Sequence, residues 1–444
     1  MDHTTHPIDE EARRRLAGEG LRLDLVDTGD ESLFRRWLDV EARGFHNAQQ
    51  SPEALAELAV ALADRRTTGV FEPASGTSSP DIVGTVNSWP AELTVPGGHQ
   101  VRAWAISGVT VAATHRRRGI ARSLLEGELR TAHALGIPVA MLTVSEATIY
   151  GRFGFSPAVR SVDLTIDTRR AKWIGREASG TLRFVSAEQL VADADDILDR
   201  VRSTVPGSAS TWLKFHERMF LFTPANAERG KNYRFVRYDD VDGTPQGYAM
   251  FQLTHDGDDF AAGVLQIEIL SSATEDAYSA LWRFMLEMDL VATIKAPLRS
   301  IDEPLMWQVA DMRAVHASNV RDHLWTRILD VEKALSAREF AGPARILLDV
   351  TDDMGFAAGS FTLEIDDLGV PTVTRISADA PATEHPVTAH LTLPVTALSA
   401  IYLGGIRAAT LTSAGVVREV VPGSSAVVDR AFGSDVTPWL GFWF

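Results

Sequence analysis

The segment 109–157 constrains the fold more than any other part of the chain. It reads as a short apolar strand, Val109-Thr110-Val111, followed by the basic turn Arg116-Arg117-Arg118-Gly119-Ile120-Ala121-Arg122. A helix and a second strand over 139–144 come next, then a loop carrying Ser145, Glu146 and Tyr150. Apolar residues at Leu124, Leu125, Leu129, Ala132 and Leu135 recur at close to helical spacing, and Gly136 and Pro138 end the repeat. The helix therefore starts near Gly119. Its first backbone N–H groups have no partner within the helix and suit an anion. Gly119 has no Cβ, so the backbone can approach a phosphate closely. The helix dipole adds about 0.3–1 kcal/mol for an anion held there, and nearby arginines add charge-assisted hydrogen bonds. An arginine run alone is commonly a solvated face. Strands on both sides and a tyrosine beyond turn the reading towards a cradle for a small polyanion.

The rest of the composition narrows the choice. A net charge of −16 over 444 residues excludes a general nucleic-acid-binding role. That length suggests about three domains at roughly 150 residues each. There is no cysteine, which removes disulfides, thiolate metal sites and a cysteine nucleophile. No His-x-x-x-His stands on a predicted helix, so no metal is expected. His385 and His390 lie in a proline-bearing stretch and read as surface. Neither a Gly-x-Ser-x-Gly elbow nor a Gly-x-x-x-x-Gly-Lys-Ser/Thr loop occurs, which argues against a hydrolase and a P-loop NTPase. The polar start Met1-Asp2-His3-Thr4-Thr5-His6 lacks a signal-peptide core, and no apolar run is long enough to span a bilayer. A cytoplasmic protein without a membrane span is expected.

Three units are expected: 1–175, 176–330 and 331–444. In the first, 21–26 reads as a strand, 31–45 and 52–65 as helices, 72–81 as a Pro/Gly/Ser-rich loop, 82–89 as a strand and 93–101 as strand, turn, strand. The polar stretch 167–181 reads as a linker. In the second, 183–185 is a strand, 187–204 and 212–221 are helices, and 233–238 pairs with 247–253. A strand over 264–271 then leads into a helix over 274–289, with Ala277, Leu281, Met285 and Met288 on one face. The junction here, Leu270-Ser271-Ser272-Ala273-Thr274, has no arginine–glycine turn. The second unit thus reads as a repeat of the first layout without the cradle. The third unit has strands at 345–350, 359–365 and 372–376, and helices at 331–339, 393–403 and 426–432. It ends on the aromatic tail Pro438-Trp439-Leu440-Gly441-Phe442-Trp443-Phe444.

Arg116-x-x-Gly119-x-Ala121 resembles the pyrophosphate loop of GNAT-type N-acetyltransferases. Adding Thr114-His115-Arg116-Arg117-Arg118-Gly119, Tyr150-Gly151-Arg152-Phe153-Gly154-Phe155, Ala280-Leu281-Trp282-Arg283, Tyr402-Leu403-Gly404-Gly405, Ala431-Phe432-x-Ser434-Asp435-Val436 and the last Phe, the whole chain resembles the Eis family of actinobacterial N-acetyltransferases. The resemblance implies an α+β protein: tandem GNAT-like domains with mixed sheets flanked by helices, then a sterol-carrier-protein-like domain, assembled as a homohexamer. It implies acetyl-CoA as co-substrate and a small amine as acceptor. Val109, Thr110 and Val111 would hold the pantetheine arm. Arg116, Arg117, Arg118, Gly119, Ile120, Ala121 and Arg122 would wrap the pyrophosphate, and Ser145 and Glu146 would line the cofactor. Tyr150 would be the general acid and the α-carboxylate of Phe444 the general base.

The chain departs from the family's aminoglycoside-modifying members at His46-Asn47, Gly108 and Trp443, where those members carry acidic, aromatic and acidic residues. A less acidic pocket follows, with Phe442, Trp443 and Trp37 as aromatic faces for an amine of one charge and an apolar body. Two other functions fit the same residues: a protein-lysine or N-terminal acetyltransferase, and a lipid or ligand carrier with a vestigial acetyltransferase part.

Overall fold

The computed structural model describes residues 2–73, 80–255, 259–377 and 387–444. The expected loop 72–81 falls partly, and His385 wholly, outside them. Twelve strands form one sheet: β1 (Arg22–Leu25), β2 (Arg66–Glu72), β3 (Asp81–Thr94), β4 (Gln100–Val111), β5 (Val139–Thr143), β6 (Ser156–Asp167), β7 (Thr181–Val185), β8 (Tyr233–Asp239), β9 (Pro245–Thr254), β10 (Gly263–Ser272), β11 (Val291–Ser300) and β12 (Val315–Ile328). Their order across the sheet is β1-β2-β3-β4-β5-β12-β6-β11-β10-β9-β8-β7. Each half repeats one layout, an antiparallel meander closed by a parallel pair: β4 with β5, and β10 with β11.

The two halves interlock. β12 lies between β5 and β6, antiparallel to both, and β6 in turn pairs with β11. Each half therefore completes its sheet with the last strand of the other. A second sheet, ordered β15-β14-β13-β16-β17, is built from β13 (Ala344–Thr351), β14 (Gly359–Ile365), β15 (Pro371–Ile376), β16 (Ala389–Pro394) and β17 (Arg418–Glu419). One apolar cluster runs from Trp89 and Leu93 of β3 and Val95 just beyond it through Ile328 and Val331 to Leu391, Leu398 and Tyr402, and takes in Leu440 and Phe442 of the tail.

Helices start where their caps stand. In α1 (Glu10–Ala17) Asp9 accepts from the Ala12 N–H, and in α2 (Glu31–Gly44) Asp30 accepts from the Leu33 N–H. α3 (Pro52–Ala61) has Ser51 as cap and proline in its first turn; such side-chain oxygens satisfy N–H groups the helix cannot. α3 ends earlier than the expected 65, because the chain turns over 62–65 and β2 opens at Arg66. α4 (Ile120–Ala134) matches its expected span. The expected helix over 212–221 is reduced to Phe215–Met219.

Candidate active site

β4 and β5 run parallel, but only Ala103, Trp104 and Ala105 pair, with Val139, Ala140 and Met141. Beyond them the strands part. On its other edge β4 keeps its ladder to β3 as far as Val111, through a register shift between Thr85 and Asn87. The β5-facing main-chain groups of β4 from Ile106 onward therefore line an open wedge. Backbone groups so exposed can pair with an amide-bearing ligand as a strand would. Val109 and Val111 are half-buried along this edge, and Thr110 points the other way, its hydroxyl 2.6 Å from that of Thr85. Gly108 has φ +63, and a Cβ there would stand 2.6 Å from Asn87 Nδ2 and 3.1 Å from Glu41 Oε1. No larger residue fits without moving both.

At the wide end of the wedge α4 begins. Gly119 is its N-cap, left-handed at φ 72, with no side-chain cap and no acidic residue in the first turn. A Cβ on Gly119 would meet only Arg15 Cδ, at 3.9 Å, so the approach is open. Arg117 also has positive φ, 65; such backbone strain gathers at ligand-holding turns. The basic residues divide into two sets. Arg116 and Arg117 are exposed and form no ion pair among the described residues. Arg118 donates to the Glu19 carbonyl at 2.5 Å and lies 3.6 Å from Glu72, and Arg122 donates to Glu126 at 2.7 Å. Ile120 is buried in the core, and Ala121 is half-buried behind it. Beside the turn, a groove of about 690 Å³ is lined by Arg36, Arg43, His46, Glu72, His115 and Arg116. Its His115 is 3.1 Å from Glu72 and holds that carboxyl below its usual value.

Tyr150 closes α5 (Ala147–Tyr150), the short helix after β5. Ser145 and Glu146 are exposed at its start, and Glu146 accepts from the Thr148 hydroxyl at 2.9 Å. Phe155 and Trp325 meet the Tyr150 ring edge to face at 6.2 and 6.5 Å. Its hydroxyl makes no hydrogen bond among the described residues. Burial first, and then the charge of Glu146, raise its pKa above the ordinary phenol value, so it stays protonated at neutral pH.

The tail crosses from the second half to the first. Trp439 receives 5.1 Å stacking from Arg299, donates from Nε1 to the Leu298 carbonyl at 2.7 Å and from its main chain to Pro206 at 2.9 Å. Phe442 is buried against Trp212 and Phe215, and its carbonyl lies 2.9 Å from His323 Nε2. The Trp443 ring is set on the same histidine at 4.4 Å. Phe444 ends on β5: the Thr143 hydroxyl donates to its main-chain oxygen at 2.6 Å and accepts from its N–H at 3.2 Å. Its ring meets Trp89 edge to face at 5.6 Å. Thus Phe444 sits at the mouth of the wedge, on the strand that leads into the Tyr150 helix.

Trp37 is not a pocket wall. It is fully buried and donates to the Thr68 carbonyl at 2.9 Å, because α2 turns its apolar face, not its solvent face, to the sheet. Phe442 is likewise buried, which leaves Trp443 as the exposed ring of the tail. Residues with no sequence signal complete the surroundings: Glu41, Arg65, Asn87, Trp89, Thr143, Trp212, Arg218 and His323. They come from five elements and two connecting segments and meet only through the tertiary fold.

A parallel pair splayed around an open backbone edge, a glycine-capped helix and a tyrosine loop define an acyltransferase of the GNAT class. Residues 26–158 and 211–332 each match the acetyltransferase (GNAT) domain, and 331–441 match the sterol carrier protein domain. An uncharacterised N-acetyltransferase of Streptomyces coelicolor is 33% identical over 410 residues, 91% of this chain and 95% of that protein. The N-acetyltransferase Eis of Mycobacterium tuberculosis is 31% identical over 372 residues, 82% of this chain and 86% of its own. The crystal structure of Eis1 from Mycobacterium abscessus has a TM-score of 0.79 at 28% identity, covering 96% of this chain and 100% of that one. The chain belongs to the Eis-like family of actinobacterial GNAT N-acetyltransferases. GNAT acetyltransferases use acetyl-CoA. Among the described residues no helix is long and apolar enough to cross a membrane, and no cluster of metal-ligating side chains occurs.

Proposed function

We propose that the chain transfers the acetyl group of acetyl-CoA to a primary amine by direct attack, with the Tyr150 hydroxyl as general acid and the α-carboxylate of Phe444 as general base. The seating of Phe444 on Thr143 carries this reading, because it brings the end of the tail to the wedge and to the strand before Tyr150. The open edge of Val109 to Val111 suits the two amides of a pantetheine arm, and Arg116 and Arg117 at the α4 N-terminus suit its pyrophosphate. Arg118, Gly119, Ile120, Ala121 and Arg122 shape that turn, and Ser145 and Glu146 flank the arm at the far side. In this reading the unit 1–175 is catalytic, 176–330 lacks the cradle, and 331–444 supplies the tail.

The amine nitrogen attacks the thioester carbon. A β4 N–H stabilises the oxyanion. As the C–S bond breaks, Tyr150 gives its proton to sulfur; a phenol near 10 and a thiol near 8.5 allow that transfer. A carboxylate near 3.5 is too weak a base to strip a free ammonium near 10. It accepts the proton of the zwitterionic tetrahedral intermediate instead, and passes it back to the tyrosinate. Extending the chain by one residue past Phe444 replaces the carboxylate with a neutral peptide. Turnover should then fall sharply while acetyl-CoA binding by calorimetry is kept; unchanged turnover would remove Phe444 from the mechanism. We also propose the homohexamer that the family resemblance implies, tested by light scattering of the purified chain.

A further inference from the structure

Beside Phe444 lies an arginine without a counter-ion. Arg65 is 4% exposed. Its guanidinium lies 3.6 Å from the centre of the Trp89 ring and 4.9 Å from that of Trp212. Nη1 donates to Asn87 Oδ1 at 2.7 Å. Among the described residues its Nε–H has no hydrogen-bond partner, and neither do Asn87 Nδ2 and Trp89 Nε1, all three buried donors. Other buried arginines are neutralised or fully bonded. Arg327 is 2.6 Å from Asp352, Arg299 is 3.0 Å from Glu303 and Arg66 is 3.4 Å from Glu128. Arg338 donates to the carbonyls of Tyr402 and Phe432. Among the described residues neither Arg65 nor Arg218 has a carboxylate within salt-bridge distance. Burial, with Arg218 adding to it, pulls the Arg65 pKa to about 9, and Asp64 and Glu41, acting from further off, offset only part of that.

A buried cation and three buried donors without acceptors are costly arrangements. They converge on one side of β3. Asn87 and Trp89 project from the same face of that strand, Arg65 bridges them, and Asn87 Nδ2 borders the Gly108 bulge of β4. Arg218 and Glu41, both half-buried, stand in front. Every unmet group except Glu41 asks for an acceptor atom, and two ask for negative charge. We propose that the amine acceptor carries a carboxylate at the end of its body away from the reacting nitrogen, and that Arg65 and Arg218 bind it. Trp89 and Trp212 then cover its apolar middle, and the amine faces Phe444. The guanidinium fork matches a carboxylate in two parallel hydrogen bonds. This rests on the acetyl-transfer reading for the direction in which the acceptor lies.

The test titrates the full chain by calorimetry with two matched sets: 4-(2-aminoethyl)benzoate, 4-(2-aminoethyl)benzamide and phenethylamine; and 5-aminopentanoate and pentylamine. CoA release from acetyl-CoA is followed with the same amines. In at least one set the carboxylate member should bind about tenfold or more tightly than its partners and lead them in kcat/KM. Arg218→Met should bring that ratio towards one, and Arg65→Lys, which keeps the charge but not the fork, should reduce it. Equal or weaker binding of the carboxylate members in both sets overturns the proposal, as does a ratio untouched in both variants. A carboxylate preference in binding with no CoA release from any amine would keep the anion site and sink the acetyl-transfer reading.

Discussion

At the residue scale, Tyr150 and Gly119 carry separable burdens. Tyr150→Phe removes one oxygen and leaves the edge-to-face contacts with Phe155 and Trp325 in place. If the hydroxyl delivers the proton to sulfur, kcat should fall by about 10²-fold or more, with acetyl-CoA affinity within about twofold of the native value; stopped-flow CoA release measures the first and calorimetry the second. Unaltered kcat would reduce Tyr150 to packing. Gly119→Glu places a carboxylate at an uncapped helix N-terminus, and at φ 72 a side chain is strained. Acetyl-CoA binding should drop beyond detection at millimolar ligand, while the protein's far-UV spectrum stays native. Retained binding would mean that the pyrophosphate lies elsewhere. Both residues were legible because their chemistry is local: a glycine before a helical repeat and a tyrosine after a strand need no partner to be read. Arg65 was not legible. Its meaning lies in what is missing around it, and a sequence does not show which carboxylates fail to reach an arginine.

At the scale of elements, the tail is held by packing, by hydrogen bonds at Trp439 and Phe444, and by one histidine. Burying a phenylalanine is worth roughly 1.5–3 kcal/mol, and Phe442 is buried against Trp212 and Phe215. His323 of β12 adds a bond to the Phe442 carbonyl and a face for Trp443. Burial depresses its pKa to about 4; the bond to Phe442 and nearby Asp322 pull up, and Arg321 pulls down. The folded state therefore keeps this imidazole neutral where the unfolded chain, near 6.5, takes a proton. Its contribution is fully present above about 6.5 and is lost as pH falls towards about 4, on the order of 3 kcal/mol across that window. His323→Gln keeps a donor and cannot titrate. Urea midpoints measured across the window should fall more steeply for the native chain than for the variant, and parallel curves would exclude His323 as the cause. Strands β2, β6, β11, β12 and β16 were among the elements the sequence hid. β12 opens with His316, Ser318, Asn319 and Arg321, a polar run with no clean alternation, because that half of the strand faces solvent and only its second half enters the core.

At the scale of the whole molecule, the family's three-unit layout was legible from composition shifts and repeated element order, but the exchange of last strands was not. Strand order depends on pairing between distant segments, and neither β6 nor β12 carries in its own pattern which neighbour it takes. The exchange predicts that the units do not come apart one at a time, and Arg327 gives a direct way to ask. It stands on β12 between β5 and β6. Its Nε donates to the Phe153 carbonyl of the first half at 3.1 Å, its Nη2 meets Asp352 of the third unit at 2.6 Å, and its guanidinium stacks 5.3 Å from Phe356. Asp352 also accepts from the Ala357 N–H at 2.8 Å and the Met354 N–H at 3.2 Å, so the loop after β13 is organised around the same carboxylate. Both side chains are out of water, 0 and 2% exposed. Arg327→Met leaves Asp352 charged and buried without its counter-ion, and should cost about 3–5 kcal/mol. Adding Asp352→Leu should recover part of that loss, since replacing both partners of a buried pair with apolar groups is often close to neutral. Because Arg327 ties all three units, the loss should appear as one shifted urea transition, with tail fluorescence from Trp443 and protection by acetyl-CoA lost at the same midpoint. Two separated transitions in the single variant, with the first and second units unfolding one after the other, would show that the strand exchange does not bind those two units into one cooperative body.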